Sequence, residues 1–121
     1  MVPAPICELI IGIKRDRHFG LVLTLGSGGI FADLFKDYQL LLLPVQRDEI
    51  LQKIMTLKVG KLIGGYRGLA GSSLNMLVDC IERLIMIISK NGSGIAEIEI
   101  NPMFVFKEKV IVVDALLARE D

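Results

Sequence analysis

Apolar residues in the first part of the chain alternate with other residues, with a period of two. One face of residues 8–14 carries three aliphatic side chains, Leu9, Ile11 and Ile13. This alternation is typical of a half-buried β-strand. The polar sequence RDRH separates it from a second apolar stretch, residues 19–25, and the two segments together predict a β-hairpin. A third strand is predicted over residues 36–43, ending at Pro44.

Two later segments change from strand spacing to helical spacing. The first is residues 47–58, and the second begins near Ser73, which can cap it. The apolar stripe of the second helix consists of Leu74, Leu77, Val78, Ile81, Leu84, Ile85 and Ile88. Asp79 and Arg83 stand one turn apart and are expected to pair. The sequence NGSG (91–94) ends this helix.

Three short strands are predicted for the rest of the chain, at about 95–101, 102–106 and 109–114. The strands therefore run together on either side of two helices, instead of alternating with helices one by one. This order favours an α+β fold in which an antiparallel sheet packs against two main helices. With no linker or internal repeat, residues 1–121 are expected to form a single domain.

Oxygen-bearing side chains follow one face of the strand that begins at Ile95. That face carries Glu97, Glu99 and Asn101, whereas the aliphatic side chains of Ile98 and Ile100 point to the other face. Pro102 has no backbone N–H, so we expect a strand end or a bulge at this position.

A tight turn at Lys107 and Glu108 would place Asn101 directly opposite Asp114 on the next strand. A shift of one residue would break this pairing. Opposed amide and carboxylate oxygens, with Glu99 nearby, suit a hard cation such as Mg²⁺. From the pattern alone, ordinary solvent-facing residues on a half-exposed sheet are the favoured explanation.

Composition excludes several classes of function. The 14 basic and 14 acidic residues give a formal net charge of zero, which provides no electrostatic footprint for nucleic acid or an anionic membrane. No apolar run approaches the roughly 18 residues that span a bilayer, and residues 1–10 lack the features of a signal peptide. We therefore expect a cytoplasmic protein, with Cys7 and Cys80 as buried free thiols.

Several ordered motifs resemble a known family. The sequences ELIIGIKRDRHFG…LTLGSGGIF…KD, LIGGYRG and EIEINPMFVF…VIVVDA are similar to the ATP-grasp region of NDP-forming acyl-CoA synthetases. These enzymes are relatives of the succinyl-CoA synthetase β subunit. The resemblance runs from about Glu8 to Ala115, and it implies the C-terminal half of an ATP-grasp nucleotide-binding domain.

The resemblance also implies roles for individual residues. Asn101 and Asp114 match the magnesium ligands of the family, and the implied cofactors are Mg²⁺ with ATP or ADP. The implied nucleotide-binding residues are Glu8, Gly28, Gly29 and Glu99. For the glycines a purely structural role is an open alternative, because a lone glycine-rich loop is weak evidence. No residue of the chain matches a catalytic residue of the family.

The sequence departs from the family in three respects. Arg17 and Leu21 replace the prolines of the family motif RDPxFGP, and Asp33 stands where relatives have Glu. His18 occupies a variable position of this motif and is expected to be a solvated turn residue. The N-terminal half of the ATP-grasp fold and the CoA-binding domain have no counterpart in the sequence. These parts are the implied partners, and the chain alone is expected to be inactive.

Three functions remain open at this point. The first is the nucleotide- and magnesium-binding part of an ADP-forming acyl-CoA synthetase of the acetyl-CoA type, which converts acyl-CoA, ADP and phosphate into carboxylate, ATP and CoA. The second is a regulatory or assembly module, such as the synthetase-like region of a protein lysine acetyltransferase. The third is a non-catalytic domain that forms a homodimer through exposed apolar surface.

Overall fold

A computed structural model describes residues 4–28, 37–60 and 71–120, without the side chains of residues 71–73. The strands in these ranges are β1 (Cys7–Asp16), β2 (Gly20–Ser27), β3 (Tyr38–Leu42), β4 (Ile95–Val105), β5 (Val110–Val112) and β6 (Ala115–Arg119). The helices are α1 (Arg47–Thr56) and α2 (Gly71–Ser89).

The strands form one sheet in the order β3-β2-β1-β4-β5, and β6 also pairs with β4. All pairings are antiparallel. The long strand β4 therefore has β1 along one edge, and along the other edge β6 beside its first half and β5 beside its second half. The predicted α+β fold with an antiparallel sheet and two main helices is confirmed.

The predicted hairpin of β1 and β2 is present, with a tight connection. The Asp16 carboxylate accepts hydrogen bonds from the backbone N–H groups of His18, at 2.8 Å, and Phe19, at 3.0 Å. Gly20 then adopts a φ of 77°, which glycine tolerates better than other residues. The His18 side chain is exposed, as expected for a turn residue.

One face of the sheet forms the hydrophobic core with both helices. The buried strand residues include Leu9, Ile11, Ile13, Leu23, Leu25, Ile98, Ile100 and Met103. The helices contribute Ile50, Ile54, Leu77, Val78, Ile81 and Ile88. No element of the described ranges covers the opposite, open face, where three residues of β3 and one of β6 are more than half exposed: Tyr38, Leu40, Leu42 and Leu116.

Two details of the helices differ from the prediction. Helix α2 begins at Gly71, before Ser73, so Ser73 is not its N-terminal cap. Asp79 pairs with Arg47 of α1 at 2.7 Å, instead of with Arg83. Arg47 also bridges to Glu82 on the next turn of α2. The Arg47 guanidinium on the neighbouring helix therefore pairs with the Asp79 carboxylate, for which the local spacing predicted Arg83 as the partner. No helix in the described ranges is long and apolar enough to cross a bilayer.

The C-terminal strands also differ from the prediction. Strand β4 continues through Pro102, although separate strands were expected on either side of it. The single strand expected over 109–114 is divided into β5 and β6, and the second of these extends to Arg119. A register shift against β1 accommodates one extra residue in β4 near Pro102, so the predicted bulge is confirmed and the predicted strand end is wrong.

Candidate functional site

The hairpin of β4 and β5 has the predicted register. Its turn is closed by a hydrogen bond from the Phe106 N–H to the Lys109 carbonyl at 2.8 Å, and Met103 pairs with Val112. Further along, the Asn101 N–H donates to the Asp114 carbonyl at 3.1 Å. Asn101 therefore lies opposite Asp114, as the sequence predicted from a tight turn at residues 107–108.

The side chain of Asn101 points away from the core, as strand alternation predicts, and the bulge adds one residue after it. Ile100 and Met103 are buried on the core face, while Asn101 and Pro102 between them both lie outside it. The Pro102 carbonyl accepts a hydrogen bond from the Val113 N–H at 3.1 Å, so the backbone at the bulge remains hydrogen-bonded to the segment that follows β5. The bulge thus accommodates Pro102 while Ile100 and Met103 both stay on the core face.

A shallow cavity of about 180 Å³ lies at this edge. It is lined by Glu99, Asn101, Asp114, Ala115 and Leu116. These residues come from β4, from β6 and from the short connection between β5 and β6. The structure therefore brings together three of the six site residues that the sequence proposed, and it adds Leu116 from a strand that the sequence did not predict.

The side-chain oxygens around this cavity are those of two carboxylates and one amide, and none of the described residues that line it is basic. One Asp114 carboxylate oxygen also accepts the Ala115 N–H at 2.9 Å, which fixes the side chain beside the cavity. Within the described ranges, no three His, Cys, Asp or Glu side chains cluster as a metal cage. A sparse oxygen set of this kind fits Mg²⁺, which retains several waters and takes further oxygens from phosphates.

Glu8 and Gly28 form a second corner of the site, outside this cavity. Glu8 alternates with the buried Cys7 and Leu9, so its side chain lies on the open face of the sheet. The cavity residue Glu99 lies on the same open face, one strand away on β4. Glu99 pairs with Gly12, four residues along β1 from Glu8, so the two positions are roughly 13 Å apart along the sheet and a ligand must span that distance to contact both.

Gly28 packs directly against the backbone of Glu8. Its N–H donates to the Glu8 carbonyl at 2.8 Å. A Cβ at Gly28 would lie 3.0 Å from Glu8 Cβ and 3.2 Å from the Glu8 carbonyl carbon. This N–H is engaged within the protein, so the geometry supports the structural role that the sequence left open for Gly28. Gly29 lies outside the described residues.

A hydrogen-bonded cluster around Asp37 stands next to this corner. The Ser27 hydroxyl donates to the Asp37 carboxylate, which also accepts the backbone N–H groups of Lys58, at 2.9 Å, and Val59, at 3.3 Å. Partial burial by itself would raise the pKa of Asp37, but these three hydrogen bonds outweigh it, so that the pKa lies below its ordinary value. Sequence reasoning missed this cluster, although a serine within a glycine-rich loop was a usable signal.

Comparison with known families decides which fold this sheet represents. A family model described as an ATP-grasp domain matches residues 1–118. The chain belongs to the ATP-grasp family. The resemblance inferred from the motifs is therefore confirmed at the level of the family.

Individual relatives of this ATP-grasp chain are ADP-forming synthetases. An ADP-forming acetate–CoA ligase of Methanocaldococcus jannaschii is 38% identical over 102 residues, which are 84% of this chain and 14% of that protein. The β subunit of ADP-forming acetate–CoA ligase I of Pyrococcus furiosus is 32% identical over 108 residues, which are 89% of this chain and 46% of that subunit. The chain thus spans less than half the length of both relatives.

A solved structure has the same fold. The dinucleotide-forming acetyl-coenzyme A synthetase 1 of Ca. Korarchaeum cryptofilum, in complex with coenzyme A and Mg-AMPPCP, superposes with a TM-score of 0.79 at 31% identity. The superposition covers 98% of this chain and 55% of that one. The chain therefore corresponds to part of the ATP-grasp domain of these synthetases.

The two thiols of this ATP-grasp chain are not disulfide-bonded. Burial, together with the neighbouring charge of Glu8, raises the pKa of the Cys7 thiol to about 12. Cys80 is only half-buried, although a buried thiol was expected, and this partial burial raises its pKa against the opposing charge of Arg83. Both thiols are therefore protonated at neutral pH, and neither is set up as a nucleophile.

Proposed function

We propose that this chain supplies the magnesium- and nucleotide-facing part of the ATP-grasp site of an ADP-forming acyl-CoA synthetase of the acetyl-CoA type. The observation that carries the proposal is the register of the β4–β5 hairpin, which sets Asn101 opposite Asp114 beside a cavity with two carboxylates. The reaction would convert acyl-CoA, ADP and phosphate into carboxylate, ATP and CoA.

The charge of the cavity supports a cation between protein and phosphates. Glu99 and Asp114 would repel the polyphosphate of ADP or ATP, because no basic side chain in the described part of the chain lines the cavity to balance them. Asn101 and Asp114 would hold Mg²⁺, with Glu99 beside them facing the phosphates. When bound, Mg²⁺ neutralises charge on the phosphate oxygens, which is the main electrostatic requirement of phosphoryl transfer.

The Glu8 corner would contact the same nucleotide from the neighbouring strand. In this proposal the Glu8 side chain makes the contact, and Gly28 contributes by fixing the Glu8 backbone. On the open face of β1, Gly12 pairs with Glu99 and carries no side chain, whereas Ile10 lies between Gly12 and Glu8. A nucleotide can therefore lie across β1 and β4 without meeting a side chain at Gly12.

The proposed partners are the N-terminal half of the ATP-grasp fold and a CoA-binding domain or subunit. The chain contributes no catalytic residue of its own in this proposal, because Asn101, Asp114, Glu99 and Glu8 only bind and orient the nucleotide. The acid–thiol ligase activity would therefore require the partners, and the chain alone would be inactive.

Titration with Mg²⁺ and ATP tests the metal assignment. We expect weak binding of ATP to the purified chain in the presence of Mg²⁺, no binding in EDTA, and loss of the binding in Asp114→Ala. Isothermal titration calorimetry measures all three. Glu97→Gln is the matched control, because Glu97 lies on the same strand and face but does not line the cavity.

Manganese provides a second readout that does not depend on ATP affinity. Paramagnetic Mn²⁺ should broaden the amide signals of Asn101 and Asp114 in the wild-type chain. In Asp114→Ala the amide signals at positions 101 and 114 should stay sharp. Equal broadening in both proteins, or broadening centred elsewhere, would contradict the assignment. Adding a separately expressed N-terminal ATP-grasp half together with a CoA-binding domain then tests whether acyl-CoA-dependent ATP formation is restored.

A further inference from the structure

We infer that Asp37 is a positioning residue for the nucleotide corner: its carboxylate holds Ser27 and Gly28 against the Glu8 backbone without itself contacting ligand. The cluster joins three parts of the chain that are distant in sequence, namely the end of β2, the start of β3 and the exit of α1. The inference rests on the proposed function only in its last step, where Glu8 contacts the nucleotide.

The first link joins Asp37 to Ser27 through both backbone and side chain. The Ser27 N–H donates to the Asp37 carbonyl at 2.9 Å, and the Ser27 hydroxyl donates to the Asp37 carboxylate. Ser27 is only 1% exposed. Its hydroxyl therefore has no access to solvent, and removal of the Asp37 carboxylate would leave it without this partner.

The second link joins Asp37 to the chain that leaves α1. The carboxylate accepts the N–H groups of Lys58 and Val59, which directly follow the capping residue Leu57. The neighbouring Gly60 is packed so tightly that a Cβ would lie 1.7 Å from the Ile54 carbonyl oxygen. The chain that leaves α1 is therefore held in one place. The hydrogen bonds of Asp37 fix the end of β2 relative to this segment.

The third link joins Ser27 to Glu8 through the next residue. Gly28 N–H donates to the Glu8 carbonyl, and a Cβ at position 28 would lie 3.0 Å from Glu8 Cβ, so that Glu8 would have to shift to admit a side chain there. A displacement of Ser27 must therefore move Gly28, and a displacement of Gly28 releases the Glu8 carbonyl. Asp37 in this way controls the backbone from which the Glu8 side chain projects.

Amide hydrogen exchange measured by NMR tests the positioning role in the full chain. In Asp37→Asn we expect the Gly28 amide to exchange at least tenfold faster, whereas the Ile11 and Ile13 amides in the middle of β1 keep their wild-type rates. An exchange rate at Gly28 that is unchanged would overturn the inference. An equal increase at all three amides would also overturn it, because it would show a general loss of stability.

Nucleotide affinity tests the last step separately. The dissociation constant for ATP with Mg²⁺ should rise at least fivefold in Asp37→Asn. If the Gly28 amide exchanges faster in Asp37→Asn but the dissociation constant for ATP is unchanged, the link between Asp37 and the nucleotide is refuted. Absence of ATP binding to the wild type would refute the proposed function of this chain, and the exchange rate of Gly28 would then decide the positioning role alone.

Two further variants keep the test decisive. Ser27→Ala removes a single hydrogen bond of the cluster, and it should produce the same pattern at Gly28 with a smaller amplitude, even if Asp37→Asn does not fold. Asp79→Asn is the matched control, because it removes a hydrogen-bonding carboxylate on α2 that pairs with Arg47. An increase at Gly28 in Asp79→Asn equal to that in Asp37→Asn would contradict the inference.

Discussion

At Gly28 the need for glycine comes from its neighbour and not from its own backbone angles. An added Cβ would meet Glu8 Cβ, carbonyl carbon and carbonyl oxygen at 3.0, 3.2 and 3.3 Å. These atoms belong mainly to the backbone of a central strand, so they cannot move aside independently. Gly12, in the middle of the same strand β1, faces a different situation, because the nearest atom to its added Cβ is Thr24 Cβ at 3.9 Å.

The two glycines therefore give a matched pair of substitutions. We expect Gly28→Ala to lower the free energy of unfolding by about 1–3 kcal/mol, because overpacking forces the backbone to shift. Gly12→Ala should change it by no more than about 0.5 kcal/mol, as is usual where the added group meets no close contact. Urea denaturation of both variants measures the difference, and equal effects would contradict the packing described for Gly28.

At the scale of the elements, one arginine joins the end of α2 to the sheet. Arg15, near the end of β1, donates from Nε to the Ile95 carbonyl at 2.8 Å and also bridges to Glu120 at 2.7 Å. Its terminal nitrogen donates to the Ile88 carbonyl and, at 3.3 Å, to the Ser93 hydroxyl. These contacts stabilise the carbonyl end of α2 and the connection that leads into β4.

Loss of this arginine should therefore destabilise the link between helix and strand. We expect Arg15→Ala to lower the free energy of unfolding by about 1–2 kcal/mol, because two backbone carbonyls lose a charged donor. Arg15→Lys should recover only part of the loss, since an ammonium cannot reproduce the forked geometry of a guanidinium. Thermal or urea unfolding monitored by circular dichroism measures both changes.

Arg17→Ala is the control for this prediction, since Arg17 is an exposed residue of the β1–β2 turn. A surface substitution of this kind should stay within about 0.5 kcal/mol of the wild type. If Arg15→Ala were no more destabilising than Arg17→Ala, the role assigned to the Arg15 contacts would be wrong.

For the whole molecule, the decisive feature is that only one face of the sheet is covered within the described ranges. Both edges of the sheet also carry exposed aliphatic residues, Leu40 and Leu42 on β3 and Leu117 on β6. In the described part of the chain, β6 has a hydrogen-bonded strand neighbour on one side only, which is β4. Unprotected apolar edges favour pairing with another chain.

This arrangement predicts that the isolated chain self-associates along β6. Sedimentation velocity should show a dimer that forms with rising protein concentration, and Leu117→Lys should raise its dissociation constant at least tenfold, because a charge on an edge strand opposes pairing. Ile87→Lys is the control, since Ile87 is about equally exposed but lies on α2. A monomer at all concentrations, or an equal effect of both lysines, would contradict this prediction.

The sequence by itself determined the elements whose pattern is local. Period-two alternation identified β1, the apolar stretch after a polar turn identified β2, and the aliphatic stripe identified α2. The register that sets Asn101 opposite Asp114 also followed from the sequence, because a short turn leaves few possible pairings. The metal roles of these two residues remain a prediction.

Only the tertiary structure decided the contacts between distant parts of the chain. Strand β6 was missed because its identity as a strand depends on the edge of β4 before Pro102, which β5 leaves unpaired. The partner of Asp79 is Arg47, 32 residues away, and the partner of Ser27 is Asp37. Local spacing cannot predict such pairs, because the packing of the helices on the sheet determines which side chains meet.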